Sequence, residues 1–186
     1  MFITTLNKIR SHSLRAPGWE KLLAHIGKTV ADDEELPLIT ILESNGLRDA
    51  LWCLRAVDGH DRDIRLFAVW CARQVQHLAM NSRSIEALNV AERFANGKAT
   101  REELEAAYAA ADAYAAADAY AYAAYAAAAY AAYADVATAA DAVAYGAYAY
   151  AAYAGEIGEA AEAAAWSALL AMFIEMCQGN APWQVS

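Results

Sequence analysis

Apolar residues recur at helical spacing along the first hundred positions, and no stretch alternates apolar and polar residues long enough to make a convincing strand. The pattern predicts an all-α chain. A short helix from Trp19 to about Ile26 follows Ala16-Pro17-Gly18 and stops at Gly27; a second runs from about Leu38 to Ser44 and ends at Asn45-Gly46. Leu47 to Val57 is the next, with Leu47, Leu51 and Leu54 on one side and Asp58-Gly59 as its break. Between His60 and about Met80, Ile64, Phe67, Cys71, Val75 and Leu78 fall within an arc of roughly 80° at 100° per residue, which is a core stripe. Arg62, Arg65, Arg73, Gln76 and His77 occupy the opposite side, interrupted by Leu66 and Val69, so an acidic surface is expected to cover it.

Ser84 to Asn96 reads as a helix closed by Gly97, and Thr100-Arg101-Glu102-Glu103 as a capping box that opens another. From there the pattern changes: residues 106–154 are 30 Ala, 11 Tyr, 4 Asp, 2 Val, 1 Thr and 1 Gly. One straight helix over residues 101–153 would be about 80 Å long at 1.5 Å per residue, against a radius of gyration of about 16 Å for a compact chain of this size. The tract must fold back or project. Its candidate breaks are Asp135-Val136 with Thr138, then Gly146, then Gly155 to Gly158. The last helix, roughly Glu159 to Cys177, carries Trp166, Leu169, Leu170, Phe173, Ile174 and Cys177 as a wide apolar face that should return to the core. The expected architecture is a helical bundle with an Ala/Tyr-rich hairpin or arm in the C-terminal half: core helices over 1–98, the Ala/Tyr helices over 99–155, and the returning helix over 156–186, in one cooperative domain.

Charge sharpens this division. Residues 1–101 hold all 14 Lys and Arg against 12 acids, whereas residues 102–186 hold 11 acids and no base. A surface with that imbalance repels nucleic acid and anionic lipid and attracts basic surfaces, with on-rates that fall as salt rises. Cys53, Cys71 and Cys177 have no metal-ligand spacing and fit buried free thiols in a reducing cytoplasm. The N-terminus has its charges too early and its apolar run too short for a secretory signal, and the longer uncharged stretches, notably 119–134 and 163–174, fall short of a membrane span. A cytoplasmic protein with no membrane contact is the expectation.

On a helical wheel Tyr122, Tyr125, Tyr130 and Tyr133 share one face of about 140°, whereas Tyr145 with Tyr148 lies nearly opposite Tyr150 with Tyr153. The one-faced part suits recognition; the two-faced part suits a helix between neighbours. Tyrosine offers a stiff contact area with few rotamers to freeze, and beside Asp112, Asp118, Asp135 and Asp141 such a face suits Arg and Lys through cation–π contacts and charge-assisted hydrogen bonds. The bland alternative makes the tyrosines spacers between alanine-rich helices, or places the acidic face on the arginines of the His60 helix within the chain. His60, Asp61, Asp63 and His77 read as a capped helix with an Asp61–Arg65 pair rather than a metal site, and Arg55, Asp58, Arg62 and Asp63 only weakly suggest a phosphate. Trp19, Trp52, Trp70 and Trp166 read as core anchors. No catalytic motif is present, so no enzyme and no cofactor are expected.

The segments DALWCLRAVDGHDRDIRLFAVWCARQVQHL (49–78) and SRSIEALNVAERFANGKATREEL (82–104), followed by an alanine-rich helical tract, resemble the immunity proteins associated with bacterial polymorphic toxin systems, a family with relatives in phage and prophage genomes. The preceding GWEKLLAHIGK and LPLITILESNGL fit the same pattern. The resemblance implies an all-helical, non-enzymatic protein that neutralises a toxin by binding it, and it transfers no functional residues. This chain departs from the family in carrying Tyr, and no base, where relatives carry Arg and Trp. The expected partner is therefore a basic protein such as a toxin or defence effector, without direct nucleic-acid contact. Alternatives are a phage-encoded antagonist of host defence acting as a nucleic-acid mimic, and a structural protein that forms homo-oligomers through the tract. An ice-binding role has one threonine, Thr138, and no regular repeat to support it.

Overall fold

Local signals account for most of the helix ends. The computed structural model describes residues 1–12, 16–74, 76, 82–115, 147–148 and 150–185. Thr5 caps α1 (Leu6–Ser11), its hydroxyl accepting from the Lys8 amide at 3.2 Å. Helix α2 (Ala16–Ile26) starts three residues before the expected Trp19, because Pro17 fits a first helical turn where no amide is needed. Helices α3 (Leu38–Asn45) and α4 (Leu47–Cys53) meet at Gly46, whose φ of 89° and ψ of 176° place it where only glycine sits without strain. Asn45 braces this corner, donating to the Gly18 carbonyl at 2.8 Å and to Asp49 at 2.7 Å. The helix expected to run to Val57 instead tightens into a 3-10 turn over Leu54–Ala56.

The all-α character holds, with one small addition that periodicity could not show. Ile3–Thr4 (β1) and Leu36–Pro37 (β2) pair antiparallel, Ile3 opposite Pro37 and Thr4 opposite Leu36. Two residues per strand are too few to alternate visibly. Buried Thr4 donates its hydroxyl to the Ala56 carbonyl at 2.5 Å, tying this pair to the 3-10 turn.

Helix α5 (Asp61–Gln74) divides the core. Its Ile64, Phe67, Ala68 and Cys71 join Phe2, Leu6, Ile9, Leu22, Leu38, Ile41, Leu51 and Leu54 in one apolar cluster. Val69 and Ala72 face the other way, onto Leu88, Val90 and Ala91 of α6 (Ser82–Ala95) and Leu104 of α7 (Arg101–Ala115). Of the expected stripe, Ile64, Phe67 and Cys71 are fully buried, while Val75 and Leu78 lie outside the described residues. Full burial of a side chain such as Phe67 stabilises by roughly 2–3 kcal/mol. The expected capping box is present at the start of α7: the Glu103 carboxylate accepts from the Thr100 amide at 2.7 Å, and the Thr100 hydroxyl from the Glu103 amide at 3.2 Å.

The described end of the Ala/Tyr tract is helical at 147–148 and over 150–157, where it continues through Gly155 and stops at Gly158. Ala147, Ala151 and Ala154 are buried on one side of it, and Tyr150 packs against both apolar clusters. The breaks proposed at 135–138 and 146 lie outside the described residues. Helix α8 (Glu159–Gln178) places Leu169, Phe173, Met176 and Cys177 in the first cluster. Its apolar face is narrower than expected, since Leu170 is 37% exposed. By length and composition α8 is also long and apolar enough to cross a membrane, which the 12-residue uncharged stretch within it did not suggest.

Candidate functional site

The four tyrosines singled out in the sequence, Tyr122, Tyr125, Tyr130 and Tyr133, lie outside the described residues, as do Asp118, Asp135 and Asp141. Asp112 belongs to α7, and its side chain too lies outside what is described. What can be located is the rest of the acidic half. Glu102, Glu103, Glu156, Glu159, Glu162 and Glu175 are all exposed. Glu102, in the first turn of α7, is held below the ordinary carboxylate range by backbone amide hydrogen bonding and by Thr100.

Several bases of the other half are matched close to home. Lys8 pairs with Asp58 at 2.5 Å, and Arg93 with Glu86 at 3.4 Å. Lys28 clamps the loop of four acids at 32–35, reaching Asp32 at 2.5 Å and Glu34 at 2.7 Å, and these contacts raise the Lys28 pKa and lower that of Asp32. Helix α6 meets the arginine face of α5. Arg62 donates to Asn96 at 2.8 Å and to the Trp183 carbonyl at 3.0 Å, and Arg65 lies 5.4 Å from the Phe94 ring centre. Arg73 reaches Gln76 at 2.7 Å and Asn89 at 3.2 Å, and pairs with Glu92. The acid expected on this face thus includes Glu92, ten residues before the polyanion begins.

Other constellations resolve into structural contacts. His60 stacks on Phe2 with centroids 3.9 Å apart and lies 3.4 Å from Asp63, and among the described residues no three His, Cys, Asp or Glu side chains converge as a metal site. His77 lies outside them. Of the four residues considered for a phosphate, Arg55 stacks over Trp52 at 4.3 Å, Asp58 faces Lys8, and Arg62 reaches Asn96 and, at 3.6 Å, Asp63. Cys53, Cys71 and Cys177 are free and buried, and burial pushes each thiol well above its usual value. A hollow of about 370 Å³ opens beside Cys177, lined by Phe2, Pro37, Ile39, Thr40 and Glu43. Trp19, Trp52, Trp70 and Trp166 are partly buried against the first cluster.

The two-faced tyrosine pattern is visible where the tract is described. Tyr150 and Tyr153 turn inward onto the second cluster, while Tyr148 is 43% exposed and meets Trp166 edge-to-face at 5.6 Å. Arg48 lies over both rings, 5.2 Å from Tyr148 and 5.8 Å from Trp166. Sequence reasoning missed this trio, because a hundred residues separate Arg48 from its partners and Trp166 alone reads as a core anchor. Comparison with known proteins adds nothing to assign these surfaces: no family model matches the chain, and no curated protein or solved structure is significantly similar to it.

Proposed function

We propose that this chain is a non-enzymatic inhibitor of the immunity type, which binds and neutralises a basic partner protein through its acidic, tyrosine-bearing C-terminal half. The observation that carries the reading is the separation of charge. Several bases of the first half have acid partners within that half, at Lys8–Asp58, Lys28–Asp32, Arg73–Glu92 and Arg93–Glu86. Beyond Arg101 there are 11 acids and no base, and Glu102, Glu103, Glu156, Glu159, Glu162 and Glu175 among them face solvent. Such a surface selects a basic partner by complementarity and steers its approach. Tyrosines interspersed with the acids add cation–π and stacking contacts to the arginines and lysines they meet.

The test is affinity capture of the partner at low and at high salt, with the parent chain and with variants carrying Tyr122→Ala with Tyr125→Ala, or Asp118→Asn with Asp135→Asn. Binding should weaken with salt and with both sets of changes. Salt-insensitive binding, or binding indifferent to the tract, overturns the reading. Displacement of the partner by DNA or RNA would reassign the acidic face as a nucleic-acid mimic.

A further inference from the structure

Arg48 stands out among the arginines in how it is held. Arg48 occupies the first turn of α4, where a helix favours anions over cations. It is held there by aromatic rings: Tyr148 at 5.2 Å and Trp166 at 5.8 Å, themselves packed edge-to-face. The guanidiniums of Arg55, Arg62 and Arg73 donate hydrogen bonds inside the fold, to the Trp52 carbonyl, to Asn96 and the Trp183 carbonyl, and to Gln76, Asn89 and Glu92. Arg48 makes no hydrogen bond or ion pair with any of the described residues. Its neighbour Asp49 already accepts from Asn45 at 2.7 Å. The result is an exposed planar donor positioned by cation–π contacts, whose N–H groups have no acceptor among the described residues.

Trp166 and Leu170 are one turn apart on α8, so Leu170, 37% exposed, extends the same patch with apolar surface. Arginine beside aromatic rings is the composition that dominates binding energy at protein interfaces. We propose that Arg48, Tyr148, Trp166 and Leu170 form a second recognition site, which takes a carboxylate flanked by an apolar side chain from a protein partner. The guanidinium receives the carboxylate through two parallel hydrogen bonds, and Trp166 with Leu170 receives the apolar neighbour. A singly charged carboxylate suits the site better than phosphate, because Glu159 and Glu162 on the same helix repel a dianion more strongly. The site has the opposite sign to the acidic face and does not depend on it.

The test uses the full chain labelled with ¹⁵N, following the Arg48 Nε–H and the Trp166 indole N–H, assigned with Arg48→Lys and Trp166→Phe. The probes are acetyl-Leu-Glu-Leu amide, its Gln counterpart and inorganic phosphate. Both signals should shift saturably with the Glu peptide, with an affinity about tenfold above that of the Gln peptide, and Arg48→Lys should reduce Glu-peptide binding by about the same factor. Equal response to both peptides, no saturable response, or phosphate binding as tight as the Glu peptide overturns the assignment. A shift of the Arg48 signal with protein concentration alone would replace the partner with a second copy of the chain. The comparison between peptides is made on the parent protein, so it does not depend on how a variant folds.

Discussion

Arg73 shows how a polar residue on a core helix can be structural. Its guanidinium bridges α5 to α6 through Asn89 and Glu92 and also holds Gln76, so the charge is spent on holding two helices together. Arg73→Glu would put two carboxylates where one salt bridge stands. The expected loss is about 2 kcal/mol, or roughly 4–8 °C in a chain of this size, read by thermal unfolding. An unchanged melting curve would mean that α6 does not depend on this contact. The cysteines make a second case. Burial pushes Cys53 up to about 12, with Asp49 adding to the effect, and Cys177 to about 12. An acid whose folded pKa is raised contributes stability that is complete below the unfolded value of about 8.5 and is lost as pH climbs toward the folded one. Between about pH 8 and pH 10, Cys53→Ala should therefore lose about 2 kcal/mol less than the parent in denaturant titrations. Coincident slopes would place Cys53 in contact with water.

At the scale of elements, what could be read from the sequence was what a few adjacent residues decide. Thr100 and Glu103 spell a reciprocal cap, and the cap is present; Thr100→Ala should cost about 1 kcal/mol, measured as a lower unfolding midpoint. Gly158 closes the helical run 150–157 and precedes α8 with φ 142° and ψ 164°, a region open to glycine almost alone. Nothing lies within 4 Å of where a Cβ would sit, so Gly158→Ala should cost about 1–3 kcal/mol through backbone strain and not through a clash. A neutral result would mean that the junction relaxes into a different turn. Where no local signal exists, the sequence misled or was silent. Leu54–Ala56 has no breaker before it, yet the α-helix tightens there, and the β1–β2 pair joins residues more than thirty positions apart. The candidate site divides along the same line. Its acidic composition could be read directly, whereas the Arg48–Tyr148–Trp166 trio exists only once α4, residues 147–148 and α8 are packed together.

For the whole molecule, the charge division predicts that salt acts in opposite directions on the free protein and on its complex. Within the first half, pairs such as Lys8–Asp58, with side chains 45% and 80% exposed, are worth at most about 1 kcal/mol each, so screening them removes little. The second half concentrates 11 acids without a base, and their mutual repulsion opposes folding until counterions screen it. Raising ionic strength from about 0.01 M to about 0.15 M shortens the screening length from about 30 Å to about 8 Å. The melting temperature of the free chain should then rise by about 2–4 °C, a gain of about 1 kcal/mol. Over the same range, affinity for a basic partner should fall, because the attraction that salt screens across an interface is the repulsion that it screens within the chain. Measuring both on one sample separates the causes. A melting temperature that falls with salt would mean that carboxylates beyond Arg101 are compensated inside the fold, and the acidic face would then have little charge left to offer a partner.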